Sequence, residues 1–496
     1  MWRQLPNCTG DVKVDVERFN WLNSQERYRN MLQQVRTQVL QEVRKDVSEA
    51  EGHVAILTGG TTDMWQRFCT DTEIDNFRPE PSFAYVFGGE CFHESGVVGA
   101  IDIARGEFLI FLPKSHPDAV RWCGEPKPLS EHAQYWGLQG AHDLCDMETV
   151  LKERGCTTVH VLDGVNKDSG LRTLAATFPG IENFTVEREM LYTALERSRT
   201  TKTPLEVEFL RKACEITQEA HLHMWKHMHA GMNEAHAEGL FNSYVRVVGG
   251  ARCLAYTAIC GAGKNAAILH YNKNNATVGE NDLLLADCGG EFTNYATDVT
   301  TTWPVSGVFT PVQKVIVGAV AAAQEAVLSQ MKPGVMWPDM HRLAERVILT
   351  SLKEAGVLQG DVDAMMEAKL GATFMPHGLG HLIGLQVHDV GGFTPEFPRL
   401  TEKGVCYLRT SRRLEEGMYI TAEPGCYFIR PLLEKALADE SQASFIVQDK
   451  LEEYIAAGGC RLEDNVYITA DGIDNLTAHL PRAPADVETC IAELRQ

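Results

Sequence analysis

Residues Phe374–Gly392 read FMPHGLGHLIGLQVHDVGG, and the reading of the whole chain turns on them. Three histidines, His377, His381 and His388, and one aspartate, Asp389, stand among glycines and a short apolar run. Glycine lets a backbone come close to an ion or ligand and adopt conformations closed to other residues. Imidazole serves metal ligation and proton transfer alike. Taken alone, the stretch is equally a Gly-rich loop with incidental histidines. Its meaning depends on partners elsewhere in the chain.

Four other stretches supply them. In LLLADCGGEFTNYATDVTTTWPV, Asp287 ends an apolar strand and Asp298 follows eleven residues on. The intervening CGGEFTN holds a turn, so the two carboxylates are expected on adjacent strands facing the same way. Carboxylates that end buried strands are costly unless a cation or a proton partners them. GMYITAEPGCYF sets Glu423 directly after a strand, and GCRLEDNVYIT places Glu463 in another strand-like run. AAILHYN brings His270 out of an apolar segment. Together Asp287, Asp298, Glu423, Glu463 and His381 form an oxygen-rich set with a single imidazole. That set suits a pair of hard or borderline divalent ions such as Mn²⁺ better than a thiolate zinc site. Two such ions can hold a bridging hydroxide and polarise the carbonyl it attacks.

Composition sets the frame. A chain of 496 residues is too long for one ordinary core, so two domains are expected. Hydrophobic content of 44% and charged content of 23% are those of a globular protein. A formal charge of −21 argues against nucleic acid or an anionic membrane as partner. The longest apolar run, Val315–Ala323, is expected to fall well short of a membrane span. Fourteen cysteines show no CxxC pair, and the amino-terminal residues carry no secretory pattern. Free thiols in the cytoplasm are the expectation.

Along the chain, VAIL (54–57), FAYVF (83–87), GVVGAIDI (96–103), EFLIFL (107–112) and TVHVL (158–162) read as strands, and 23–45 as a surface helix. A boundary is expected near Arg197–Thr203. There Thr203, Pro204 and Glu206 form a helix-start signature, and a long amphipathic helix follows. Within it His223 and His227 share a face at i, i+4. With no carboxylate beside them in sequence, a solvated histidine face is expected ahead of a metal site.

The Asp, Asp, His, Glu, Glu order, with HGLGH and EPG, resembles the pita-bread metallopeptidases, and most closely their prolidase (Xaa-Pro dipeptidase) branch. MKPGVMWPDMHRL (Met331–Leu343), MPHGLGH and VHDVGG carry that closer likeness. The resemblance implies an α+β chain: a creatinase-like α/β N-terminal domain, 1–198, followed by a pita-bread catalytic domain, 199–496. It implies two Mn²⁺ per subunit, with Co²⁺ or Zn²⁺ as other possibilities, held by Asp287, Asp298, His381, Glu423 and Glu463. It implies hydrolysis of Xaa-Pro dipeptides by a bridging hydroxide, with Glu423 as proton shuttle and His270 and His388 contacting substrate and stabilising the oxyanion. Arg409 would clasp the proline carboxylate, Tyr256 would lie beside the pocket, His377 near the metals, and Arg461 would orient carboxylates. A homodimer is implied, with Cys69 near the subunit interface as a free thiol. The spacing from His270 to Asp287 resembles aminopeptidase P instead, so cleavage of longer Xaa-Pro-Yaa peptides stays open, as does organophosphate ester hydrolysis. A third alternative is a non-catalytic binding module on the same fold.

Overall fold

The computed structural model describes all residues except 62–77, 90–95, 115–116 and 118–119. Cys69 lies outside the described residues. The chain forms two compact units, Asn23–Glu206, and Met1–Leu22 together with Val207–Gln496. The expected boundary at 198/199 therefore differs from the division found, and the first 22 residues leave the N-terminal domain. The reason is a buried anchor. Arg18 holds both oxygens of Glu219 at 2.7 Å, and Asn7 donates to Glu219 and to Tyr244, each at 2.8 Å.

The Asn23–Glu206 unit is built on one mixed sheet. Its strands are β1 (His53–Thr58), β2 (Val98–Asp102), β3 (Glu107–Leu112), β4 (Gly140–Asp143), β5 (Thr158–Val161) and β6 (Thr185–Glu187), in the order β4-β3-β2-β1-β5-β6. Val54, Ile56, Val98, Ala100, Leu109, Phe111, Val159 and Val161 bury one face against Met147, Leu151, Phe178 and Phe184. The predicted helix is present as Gln25–Asp46, capped by the Ser24 side chain. It turns Met31, Leu32, Val35, Val39 and Val43 inward. FAYVF is not a strand but part of the helix Pro81–Phe87. Proline occupies its first turn and the Glu80 carboxylate caps Phe83 N–H at 2.8 Å. Every residue from Ser82 to Phe87 is buried, so the apolar run had no alternation to separate helix from strand.

The larger unit carries β7 (Cys253–Leu254), β8 (Ile259–Ala262), β9 (Leu283–Asp287), β10 (Gly290–Phe292), β11 (Tyr295–Ala296) and β12 (Thr300–Pro304). Its later strands are β13 (Tyr419–Ala422), β14 (Gly425–Tyr427), β15 (Gly459–Arg461), β16 (Asp464–Ile468) and β17 (Ile473–Asn475). They pair as β12-β9-β8, β13-β16-β17, β14-β15 and β11-β10-β7. The helix predicted from Thr203 runs Pro204–His227. His223 is not on a solvated face: it is buried, with Nδ1 2.6 Å from the Gly10 carbonyl. The N-terminal segment that covers it is far away in sequence. The apolar run at 315–323 belongs to the helix Pro311–Gln330, which is long and apolar enough to cross a membrane by length and composition. The sequence expectation that it falls short is thus corrected. Its Ile316, Val317, Val320, Ala323 and Val327 are buried and it packs on the helix Trp337–Glu354, as a core helix does.

Candidate metal centre

Three backbone seams bring the signature residues together. In the first, β12 and β9 run antiparallel with Thr300 opposite Asp287. Asp298 thus stands two residues before β12, level with the end of β9. In the second, Glu463 N–H donates to the Thr300 carbonyl at 3.0 Å, which lays the β15–β16 junction against β12. In the third, Thr421 N–H meets the His381 carbonyl at 2.9 Å and Glu423 N–H the Leu379 carbonyl at 2.8 Å. The glycine between them is required by contact: a Cβ on Gly380 would sit 2.1 Å from the Thr421 carbonyl oxygen. The histidine stretch can approach β13 because that position has no side chain.

The side chains converge accordingly. Asp298, His381 and Glu463 offer ligand atoms within 4.8 Å of one another, all buried. Asp287 joins through Tyr256, whose hydroxyl lies 2.5 Å from both Asp287 Oδ1 and Asp298 Oδ1. Glu423 joins through His381 Nε2, which is 3.4 Å from Glu423 Oε1 and 3.4 Å from Asp298 Oδ2. His381 Nδ1 donates to the Leu382 carbonyl at 3.1 Å, which leaves Nε2 as the ligating nitrogen. All five predicted ligands therefore share one chamber.

Its electrostatics are lopsided. Burial pushes the carboxyls of Asp287 and Glu463 up, and neighbouring carboxylates add to the effect. Glu423 is raised to about 7, chiefly by burial, against the pull of His381 and Arg461. Burial pushes Asp298 up too, yet it alone falls below its ordinary value, because its contacts with His381, Tyr256 and His388 together outweigh burial. Burial opposes the charged form of His381, but Asp298 and Glu423 raise it. One guanidinium serves the group: Arg461, 4% exposed, donates to Asp287 Oδ2, to Thr300 Oγ1 at 3.1 Å and to the Tyr427 hydroxyl at 2.7 Å. Glu463 Oε2 accepts from Thr300 Oγ1 at 2.7 Å, while its buried Oε1 has no hydrogen-bond partner. An orphaned carboxylate oxygen facing three other carboxylates is the situation a divalent cation resolves. The donor set fits a two-metal centre.

The remaining predicted residues divide. His377 has both nitrogens engaged, Nδ1 with the Gly378 carbonyl at 2.8 Å and Nε2 with the Tyr427 hydroxyl at 3.1 Å. It lies 3.9 Å from Glu423, near the ligands but not among them. Burial and the Arg461 charge push it down to about 3, so it is neutral. His388 stacks edge-on to His381 at 4.5 Å, and burial with the charges of His381 and Arg409 depresses it to about 2. Arg409 and His270 thus lie within electrostatic reach of His388. His270 is exposed, and neither it nor His388 has a ring hydrogen bond among the described residues. Tyr256, expected beside the pocket, reaches the ligand carboxylates directly. Residues not singled out from sequence complete the frame. Thr300 and Thr421 hold Glu463 and Glu423, Tyr427 links Arg461 to His377, and Asn465 accepts from Asp298 N–H at 3.1 Å. A threonine run in a strand gives no signal of this, since β-branched residues favour strands anyway.

A small sheet unit followed by a helix-flanked unit with a buried carboxylate–imidazole chamber defines a hydrolytic metalloenzyme of the pita-bread fold. Residues 208–470 match metallopeptidase family M24, and 26–160 match the aminopeptidase P N-terminal domain. The chain is 41% identical to the Xaa-Pro dipeptidase of Rattus norvegicus and 40% to that of Homo sapiens, over 92% of this chain and 92% of each relative. Among solved structures it is similar to zinc-substituted Escherichia coli aminopeptidase P in complex with product, with a TM-score of 0.74 and 27% identity. That match covers 94% of this chain and 99% of the other. The chain belongs to metallopeptidase family M24.

Proposed function

We propose that the chain hydrolyses Xaa-Pro dipeptides at a centre of two divalent ions, with Mn²⁺ the ion its oxygen-rich donors favour. The observation that carries the reading is the chamber itself: the buried carboxylates of Asp287, Asp298 and Glu463 and the half-buried Glu423 around His381, with Glu463 Oε1 unmet among the described residues. Asp287, Asp298, His381, Glu423 and Glu463 would hold the ions. Bound there, the pair supplies a Lewis acid and an activated water.

The chain's own groups do the rest. Glu423, raised towards neutrality, takes the proton of the attacking water and hands it to the departing imino nitrogen. His388 and His270, with ring nitrogens uncommitted among the described residues, donate to the carbonyl oxygen as it gains charge. Arg409 clasps the proline carboxylate, a match of planar fork to carboxylate. Proline supplies no N–H for backbone recognition, so this end-on grip replaces it and limits substrates to dipeptides. Arg461 fixes Asp287, and Tyr427 passes that order on to His377.

The likeness to aminopeptidase P favours a second reading, cleavage of Xaa-Pro-Yaa. Metal-stripped protein with Mn²⁺ restored, given Gly-Pro, Gly-Pro-Ala and Gly-Leu in parallel, separates them. Turnover of Gly-Pro alone supports the dipeptidase. Preference for the tripeptide moves the assignment, and no turnover of any removes it. The resemblance also supports a homodimer. Eleven of the cysteines are free thiols, in keeping with a cytoplasmic location.

A further inference from the structure

The helix Pro204–His227 ends on His223 and His227, one turn apart, and the carboxylate centre uses neither. His223 is only 6% exposed, and its Nδ1 donates to the Gly10 carbonyl at 2.6 Å. That bond puts the proton on Nδ1 and leaves Nε2 with its lone pair, which no described residue engages. The His227 ring is half-buried, its centroid 4.5 Å from that of His223 at an interplanar angle of 60°. Two imidazoles that share one tetrahedral ion through one nitrogen each, at ~2.0–2.1 Å, bring their ring centroids to about 5.2 Å, so the half-buried His227 ring has only a short swing to make. A histidine ligand commonly gives its other N–H to a backbone carbonyl, which fixes tautomer and orientation. His223 already has that arrangement.

The surroundings suit a cation. Burial, with the neighbouring His227, keeps His223 below its ordinary value and so in the neutral, ligating form. The Asp11 carboxylate acts on both imidazoles. Lys226 is the competing charge, but its ammonium is held by Asp11 Oδ1 at 2.8 Å and the Thr9 carbonyl at 3.1 Å.

We propose that His223 Nε2 and His227 chelate one borderline divalent cation of the Zn²⁺ class, with water completing its shell. Imidazole-rich ligation separates this site from the oxygen-rich centre: it selects Zn²⁺ where the carboxylates accept Mn²⁺. The ion would also fasten the N-terminal segment to the helix, since the Gly10 carbonyl orients one of its ligands.

Equilibrium dialysis tests it. Full-length protein saturated with Mn²⁺ is dialysed against Zn²⁺ with Mn²⁺ in excess, and both metals are counted by mass spectrometry beside a His227→Gln variant. The native chain should retain one more zinc than the variant, with the same manganese content and the same Gly-Pro turnover. Crystals of the native chain soaked in Zn²⁺ should show an anomalous peak between His223 and His227. Equal zinc in the two proteins, or native crystals without the peak, would overturn the site. The crystal arm needs no variant, so a folding defect in His227→Gln could not hide the answer.

Discussion

Two buried carboxylate clusters in the larger unit have opposite economies. Glu219 is met on both oxygens: Oε1 accepts from Arg18 at 2.7 Å and Asn7 N–H at 2.8 Å, and Oε2 from Arg18 at 2.7 Å and Tyr244 at 3.0 Å. At the candidate centre, four carboxylates share one guanidinium and one imidazole among the described residues, and Glu463 Oε1 has no hydrogen-bond partner there. A structural carboxylate is closed by the chain itself. The centre is left open, and what it lacks is positive charge. The chain accepts that cost because a divalent pair would supply the charge.

The largest effect expected is at the centre. Asp298→Asn keeps the shape but removes a charge from the middle of the ligand set. kcat/KM for Gly-Pro should fall by at least about a thousandfold, while the metal-free protein, having lost the charged contact with His381, melts slightly lower but stays folded. Full activity would remove Asp298 from the ligand set and with it the comparison. At the closed cluster the balance reverses. Arg18→Met strands the buried Glu219, so unfolding free energy measured in urea should drop by about 3–5 kcal/mol. Turnover per folded molecule should be unchanged. Adding Glu219→Leu should return most of the loss.

How much of this was legible depends on whether a residue's partners lie nearby in sequence. The five candidate ligands that meet in one chamber each carry a local signature: a strand end, an HGLGH, an EPG. Arg461 is expected to orient carboxylates, and it holds Asp287. The helix start at Thr203 was legible for the same reason, since its Glu206 carboxylate returns to Thr203 N–H at 2.7 Å. What failed needed distant chain. The N-terminal segment gave no hint that Arg18 would find Glu219, and nothing near His223 in sequence announced Gly10. FAYVF was ambiguous in a different way, because a fully buried run looks the same as helix or strand.

A smaller effect tests whether the open cluster is braced. Arg461 touches Asp287, Thr300 and Tyr427 but is not itself a proposed ligand. Arg461→Lys keeps a charge and loses the fork, so it should lower kcat by about 10–100-fold through misplaced ligands. KM for Gly-Pro should change little. A rise in KM at constant kcat would instead make Arg461 a substrate clasp.

The smallest effect is the subtlest reading of the missing charge, and it is seen only without metal. Glu423 is raised from 4.5 to about 7, mainly by burial, and Asp287 and Glu463 are raised as well. Below about 4.5 such a carboxyl is protonated in both folded and unfolded chains and its contribution to stability is intact. As the pH climbs towards 7 the unfolded chain releases protons that the native chamber retains, so native stability falls across that window. Protein stripped with a chelator should therefore lose several degrees of melting temperature between pH 4.5 and 7. Saturating Mn²⁺ should erase most of the slope, because the ions then supply the charge that protons had replaced. A metal-free protein whose stability rises from pH 4.5 to 7 would mean the chamber is compensated from within, as the Arg18 cluster is.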